Sequence, residues 1–340
     1  MQSSPTSRDV AEAAGVSQST VSYVLSGKRF VAPDTRARVR AAMAELGYRP
    51  HASARALKSS ESRIIGLLVP YHERIDAPGQ YRYIVSLAAA CRRRGYDLLV
   101  ISGEEGVEGM RRLTESALCD GILVMDVLDD DARVAAAHDL RIPSVFIGLS
   151  HDAESVIATD TDFESIGAGC AQKVHDAGHG RALVVRSSSE HISPMGFIQR
   201  FDRTLTERAS ALGLSLDSLA IARGFGPTRA AVHEYLTRPD RANAFIASPA
   251  TSIDDVINVL LAEGLTPGVD VSVIGAGGSG DSPHTPVDYT YYDSDVPKVT
   301  ATAVDLLVDQ LEGAPPLDGR EPELIDPVFH EGASMLRAPS

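Results

Sequence analysis

Gln18, Ser19, Ser22 and Tyr23 share one side of the stretch TSRDVAEAAGVSQSTVSYVLS, residues 6–26. An amide, two short hydroxyls and a phenol on one exposed helical face are groups that hydrogen-bond base edges in a DNA major groove. The elements that must hold them are legible around them. Thr6 and Asp9 have the spacing of a reciprocal N-terminal cap, and Val10, Ala11 and Ala14 fall on one face of a first helix. Gly15 supplies a left-handed stop. Ser17 caps a second helix, whose Val21, Val24 and Leu25 are expected to point inward. An ordinary surface hairpin has the same outline, so this spacing alone leaves both readings open.

The residues that follow narrow the choice. After SGKRFV, a third helix is expected to start near Pro33 or Asp34, since proline suits a first helical turn. Its Val39, Met43 and Leu46 are expected to pack on the first two helices, and Gly47 and Pro50 end it. Arg36, Arg38 and Arg40 line its other faces, and one or two of them are expected to touch backbone phosphates. Residues 51–58 are helix-compatible but too short to be stable alone, and Leu57 is their only large apolar side chain.

Taken in order, DVAEAAGVSQSTVSYVLSG, TRARVRAAMAELGYRP and HASARAL closely resemble the lac-repressor (LacI/GalR) family of transcription regulators. The resemblance implies DNA contacts from Thr6, Ser17, Gln18, Ser19, Thr20, Ser22, Tyr23 and Arg29. It also implies a hinge helix that orders on operator DNA beside its dimer mate, with Ala54 in it and Leu57 levered into the minor groove. One residue departs from the family: Tyr23 stands where arginine is common. Arginine reads guanine bidentately and tyrosine cannot. Either the half-site differs there or Tyr23 turns to phosphate.

Charge is distributed to suit such a head. The chain of 340 residues carries −14 overall, which by itself argues against nucleic acid. Residues 1–60, however, hold nine Lys/Arg against four Asp/Glu, a net +5, and the remainder carries −19. A basic head on an acidic body concentrates phosphate attraction at one end. A hydrophobic content of 44% is ample for a core, and no apolar run approaches the ~18 residues of a membrane span. The polar N-terminus lacks an apolar signal core, so a cytoplasmic location is expected. Cys91, Cys119 and Cys170 are scattered, as suits reduced thiols.

From Arg63 onward, apolar runs (IIGLLV, YDLLVI, GILVM, PSVFIG, VIATD, RALVV, AFIAS, VSVIG) alternate with helix-length segments. This alternation predicts parallel sheets covered by helices. The expected fold is therefore an N-terminal all-α helix-turn-helix domain (residues 1–50), a hinge (51–62) and an α/β body (63–340). By the resemblance, the body is periplasmic-binding-protein-like, with two doubly wound lobes and three crossovers. Lobe one is expected at about 63–160 and 289–320, taking in TYYDS and the helix after it. Lobe two is expected at about 161–288 and 321–336, closed by LIDPVF. Ligands in such sheets sit at the carboxyl ends of strands, here the cleft between lobes.

Candidate ligand contacts by this placement are Tyr71, Asp126, Ser187, Phe225, Ser248 and Asp293 for a small-molecule effector, with Asp160 at the end of the fifth strand. The family's usual polar grips on a sugar or purine are replaced at Phe197, Ser248, Gly277 and Gly148. No catalytic residue, metal or cofactor is expected. The GAGGSG of residues 275–280 fits GxGxxG, but Pro283 and Pro286 forbid the helix that a pyrophosphate needs. His175 and His179 lack an intervening HExxH glutamate, and Ser187, Ser188, Ser189, Glu190 and His191, adjacent in sequence, do not make a triad. Two other classes share such a body. One is a small-molecule enzyme on a doubly wound sheet, which leaves the basic head unexplained. The other is a solute-binding protein, which the lack of a signal core opposes. The expectation is a homodimeric, DNA-binding regulator, a repressor by family habit, with a carbohydrate or glycoside as the family's usual effector.

Overall fold

The computed structural model describes residues 5–26, 29–48, 61–70, 77–102, 106–116, 118–277, 285–314 and 321–336. The chain divides into two units, Met1–Ser62 and Arg63–Ser340. The first holds α1 (Ser7–Ala13), α2 (Gln18–Ser26) and α3 (Pro33–Glu45). Thr6 and Asp9 form the reciprocal cap: the Thr6 N–H donates to Asp9 Oδ2 at 2.7 Å and the Asp9 N–H to Thr6 Oγ1 at 3.4 Å. Gly15 turns the chain at φ +60°, and Ser17 Oγ accepts the Thr20 N–H at 3.1 Å to cap α2.

Val10, Ala11, Ala14, Val21, Val39, Ala42 and Tyr48 make the core of this unit, with Val24 and Met43 packed against it. Two expected core residues lie outside. Leu25 is 38% exposed and Leu46 is 36% exposed. Leu25 sits one residue round from Val24, at the rim of a narrow apolar stripe. Leu46 is the C-cap of α3, and the turn at Gly47 (φ +61°) sends Tyr48 inward instead.

The Thr6 backbone N–H and hydroxyl hold the Asp9 carboxyl below its ordinary value. A lowered folded-state value means that this contribution is present above about pH 4, the ordinary carboxylate value, and is lost as pH falls through the folded one. Thr6→Ala is expected to cost the head about 1 kcal/mol, seen as a lower urea midpoint at pH 7. The difference from the parent should narrow in acid.

The second unit contains two six-stranded sheets, ordered β11-β5-β4-β3-β1-β2 and β12-β10-β9-β8-β6-β7. Their strands are β1 (Ile64–Val69), β2 (Asp97–Ser102), β3 (Gly121–Val124), β4 (Ser144–Ile147), β5 (Ala158–Thr161), β6 (Arg181–Ser187), β7 (Ser215–Ile221), β8 (Ala244–Ala247), β9 (Ser272–Gly275), β10 (Thr290–Asp293), β11 (Glu323–Ile325) and β12 (Val328–His330). Among the described residues, all pairings of these strands are parallel except β10 with β12. The central strands are fully buried apolar runs, as a sheet covered on both faces requires. The helices that matter for the cleft are α4 (Ala77–Arg93), α5 (Gly106–Glu115), α6 (Ala132–Ala137), α7 (Phe163–Asp176), α8 (Gly196–Leu212), α9 (Phe225–Leu236), α10 (Ile253–Ala262) and α11 (Val296–Leu311).

Three assignments differ from expectation. TYYDS forms β10 in the second sheet, and only the helix after it, α11, packs on the first. The Tyr291 ring stacks on His330 of β12 at 4.5 Å, which holds β10 there. LIDPVF is not one strand. β11 joins the first sheet beside β5, and β12 joins the second. Pro327, which cannot donate to a ladder, lies where the chain passes between them. β7 was not anticipated. It is an edge strand whose mixed burial gives little apolar signal. The chain therefore passes between sheets three times, after β5, β10 and β11.

Candidate DNA-reading face and ligand cleft

The helix-turn-helix unit presents α2 with Gln18 and Ser19 exposed. Gln18 Nε2 donates to Ser7 Oγ of α1 at 2.8 Å, which fixes the amide across the two helices. Ser17 Oγ lies 2.8 Å from both Ser19 Oγ and Thr20 Oγ1. The Arg29 guanidinium sits over the Tyr23 ring, 5.5 Å from its centroid. A shallow open groove is lined by Ser17, Thr20, Tyr23, Arg29 and Arg38, with Phe30 beside them at 87% exposure. Ser22 is half-buried, and Thr6 serves as the cap already described. Ala54 and Leu57 lie outside the described residues. Phe30 was not singled out in the sequence, where one aromatic in a turn carries no periodic signal.

In the second unit a cavity of about 200 Å³ opens between the sheets. Its wall comes from the carboxyl ends of strands, as in other open α/β sheets. Met125, Asp126 and Val127 follow β3, Gly148 follows β4, and Asp160 ends β5. Pro249 and Ala250 follow β8, and Gly277 follows β9. The first turns of α4 add Gln80, Arg82 and Tyr83, while Phe163, Ile192, Met195 and Phe197 come from the second lobe.

Asp126 has a positive φ of 53°, a conformation aspartate tolerates better than most residues. Arg133 holds it there by donating to the Asp126 carbonyl at 2.9 Å. Arg133 is itself fixed by the buried Asp131 carboxylate at 2.7 Å. Burial alone would raise the Asp131 carboxyl, but the Arg133 bonds outweigh it and hold it below its ordinary value. Gln80 Nε2 donates to Asp126 Oδ2 at 2.5 Å.

Arg200 of α8 and Asp160 of β5 form a buried ion pair, with side chains 11% and 6% exposed. Burial pushes the Asp160 carboxyl up, and the guanidinium pulls back only part of that rise. Beside the pair, segments of the two lobes clasp one another. The Gly196 N–H donates to the Val127 carbonyl at 3.0 Å, and the Asp129 N–H to the Pro194 carbonyl at 2.9 Å. Ile192, Met195 and Ile198 pack there against Leu128 and Ala250.

The expected ligand contacts sort by position. Asp126 lines the cavity. Ser248 is buried just behind Pro249 and Ala250, 3.2 Å from Thr251 Oγ1. Asp293 stands next to the lining Ser294 and faces Arg82 at 3.9 Å. Ser187 and Phe225 are not in the wall: Ser187 Oγ accepts the Ser189 N–H at 3.2 Å, and Phe225 is 43% exposed at the start of α9. Tyr71 lies outside the described residues. Gln80, Tyr83, Phe163 and Arg200 were missed. Arg200 had a signal: it is a charged residue between Ile198 and Phe201 on a buried helical stripe.

The remaining chemistry-bearing groups have structural roles. His179 Nε2 lies 2.8 Å from Ser272 Oγ, and burial pushes its imidazole down. The three cysteines are buried, and burial lifts the Cys91 and Cys119 thiols to about 11. They are poor nucleophiles at neutral pH.

A helix-turn-helix unit joined to two parallel-sheet lobes around a cavity defines a class: a one-chain regulator with a DNA reader and a ligand-binding body. The family model "Bacterial regulatory proteins, lacI family" matches residues 6–51, and "Periplasmic binding protein-like domain" matches residues 171–334. The HTH-type transcriptional repressor PurR of Pectobacterium carotovorum subsp. carotovorum (strain PC1) is 31% identical over 279 residues, 79% of this chain and 80% of that one. The chain belongs to the lacI family of bacterial regulatory proteins, and it is a transcriptional regulator. The lac repressor dimer bound to operator and the anti-inducer ONPF shares the fold at a TM-score of 0.80. The two are 22% identical, over 98% of this chain and 100% of that one. The transcriptional regulator CelR in complex with cellobiose shares it at 0.65, with 24% identity over 97% and 99%.

Proposed function

We propose that this regulator binds a pseudo-palindromic operator as a homodimer and acts as a cytoplasmic repressor whose DNA affinity is set by a small molecule in the cleft. The observation that carries this is the exposed polar face of α2, with Gln18 and Ser19 outermost, on a helix pair whose buried core fixes its orientation. Gln18, Ser19 and Ser22 read base edges; Thr6, Ser17, Thr20, Tyr23 and Arg29 hold phosphates or support the readers. Ala54 and Leu57 act in the hinge, with Leu57 as a minor-groove wedge.

A second copy has a surface to dock on. α4 exposes Tyr81 (67%) and Val85 (47%) one turn apart, and the neighbouring edge strand β2 exposes Val100 (46%). Symmetric pairing through these elements would present two heads, and twofold symmetry in the protein calls for twofold symmetry in the site. Asp126, Ser248 and Asp293, at or beside the cavity wall, are the retained candidates for effector recognition.

Gln18→Ala tests base reading. Operator affinity should fall by about 1–3 kcal/mol, while affinity for unrelated duplex and the salt slope stay near the parent values. Equal losses on all sequences in a gel-shift titration would remove Gln18 from the readers.

A further inference from the structure

We infer that Ser7 positions the Gln18 amide for an adenine: by accepting one amide N–H, it leaves the other N–H and the carbonyl oxygen to meet that base in the major groove. This rests on Gln18 being a base reader and names the base it selects.

The placement begins with two caps. Thr6 caps α1, and Ser17 Oγ takes the Thr20 N–H at 3.1 Å at the start of α2. Ser7 and Gln18 are the first residues of those helices, so the backbone under each side chain is fixed by the cap before it. Val10, Ala11, Ala14 and Val21 then pack the two helices into one core. The first turns are thereby held together, and Gln18 Nε2 donates to Ser7 Oγ at 2.8 Å across 11 positions of sequence. Gln18 stays exposed and Ser7 half-buried, so the amide faces outward from a hydroxyl seated in the head.

A glutamine amide carries two N–H donors and an acceptor oxygen, and a serine hydroxyl can accept as well as donate. Unrestrained, the amide turns freely about its last bond and offers either end to a base. The Ser7 bond removes that choice. It occupies one N–H, and the remaining edge shows a donor beside an acceptor. The major-groove edge of adenine is its complement, with the N6 amino donor beside the N7 acceptor. Guanine presents two acceptors, N7 and O6, and one of them would face the amide oxygen. Cytosine offers a donor alone, and thymine an acceptor and a methyl group, so each satisfies half of the amide. An amide already held also loses less side-chain freedom when the base arrives.

The test uses the full chain and a duplex that it selects from a random library. Each base pair of one half-site is varied in turn, and affinities are measured for the parent, Ser7→Ala, Ser7→Thr, Gln18→Ala and the double variant Ser7→Ala/Gln18→Ala. Gln18→Ala should flatten the preference at one position, where the parent prefers adenine by about tenfold or more. Ser7→Ala should reduce that preference roughly three- to tenfold at the same position, the worth of one hydrogen bond. Ser7→Thr keeps the hydroxyl and should retain the preference. In the Gln18→Ala background, Ser7→Ala should change nothing further, because residues acting as one unit are not additive. Alanine suits a helix at least as well as serine, so the Tm of Ser7→Ala should not fall, which separates positioning from a loss of fold.

A base other than adenine at the Gln18 position would overturn the inference while leaving Gln18 a reader. So would an adenine preference that Ser7→Ala leaves intact, a Ser7→Thr variant as impaired as Ser7→Ala, or equal effects of Ser7→Ala with and without Gln18. Losses from Gln18→Ala that are equal on every duplex would overturn the reading of Gln18 itself, and the inference with it.

Discussion

Arg200→Met should destabilise the ligand-binding body by about 3–5 kcal/mol. The substitution removes one member of a buried pair and strands the other, and a desolvated carboxylate without its guanidinium is the costly state. Asp160 is 6% exposed, and the bonds it would keep are those to the backbone of Thr161 and Leu149. The urea midpoint should fall with little change in slope. Two further results separate this cause from lost packing. Asp160→Leu added to Arg200→Met should restore most of the loss, since an apolar pair of similar volume leaves no charge stranded. The deficit of the single variant should also shrink as pH is lowered. Burial already raises the Asp160 carboxyl, and removing Arg200 raises it further. Protonation then relieves the stranded charge in acid, and the deficit grows as pH rises through that higher value. A single variant within about 0.5 kcal/mol of the parent, the range of ordinary surface changes, would show that the pair is not structural.

Gly196→Ala should cost about 3 kcal/mol and loosen the cleft at the same time. A Cβ at this position would lie 1.8 Å from the Leu149 carbonyl oxygen, and that neighbour is backbone rather than a movable side-chain tip. Overpacking against a fixed group costs about 1–3 kcal/mol, and more when backbone must move. Here the start of α8 must back away from the first lobe, which stretches the 3.0 Å bond from the Gly196 N–H to the Val127 carbonyl. Affinity for any cleft ligand should fall along with the melting temperature. Gly180→Ala is the control. Nothing lies within 4 Å of its added carbon, and it should be neutral to within about 0.5 kcal/mol. Equal behaviour of the two variants would contradict the clasp.

Both effects act where the lobes meet, which is where a ligand could bias the body between two conformations. A ligand shifts such an equilibrium only by its difference in affinity for the two states. The Gly196–Val127 and Asp129–Pro194 bonds and the Arg200–Asp160 pair are contacts that such a difference would use.

What was legible in the chain followed the range of the interactions. The Thr6–Asp9 cap, the Gly15 stop and the Pro33 start depend on residues within a few positions, and the sequence displays them directly. Most strand positions were legible because buried parallel strands are uninterrupted apolar runs; the half-exposed edge strand β7 lacks such a run and was not. Sheet membership was not. TYYDS and LIDPVF look alike whichever sheet they join, and pairings such as Tyr291 with His330 decide it across the chain. Leu25 and Leu46 were misplaced because apolar type says nothing of where a stripe ends. In the cleft, Asp126 was found as a polar residue at a strand end. Arg200 and Gln80 were missed because their partners, Asp160 and Asp126, lie 40 and 46 residues away.

The most direct test is selection of bound duplexes from a random library by the full-length protein, followed by anisotropy titration of the winner and its scrambled counterpart across salt concentrations. The expected result is a pseudo-palindrome bound about a thousandfold more tightly than the scramble, with both affinities falling steeply as salt rises. Recovery of no symmetric motif, with equal affinity for both duplexes at every salt concentration, would contradict a pair of sequence-reading heads.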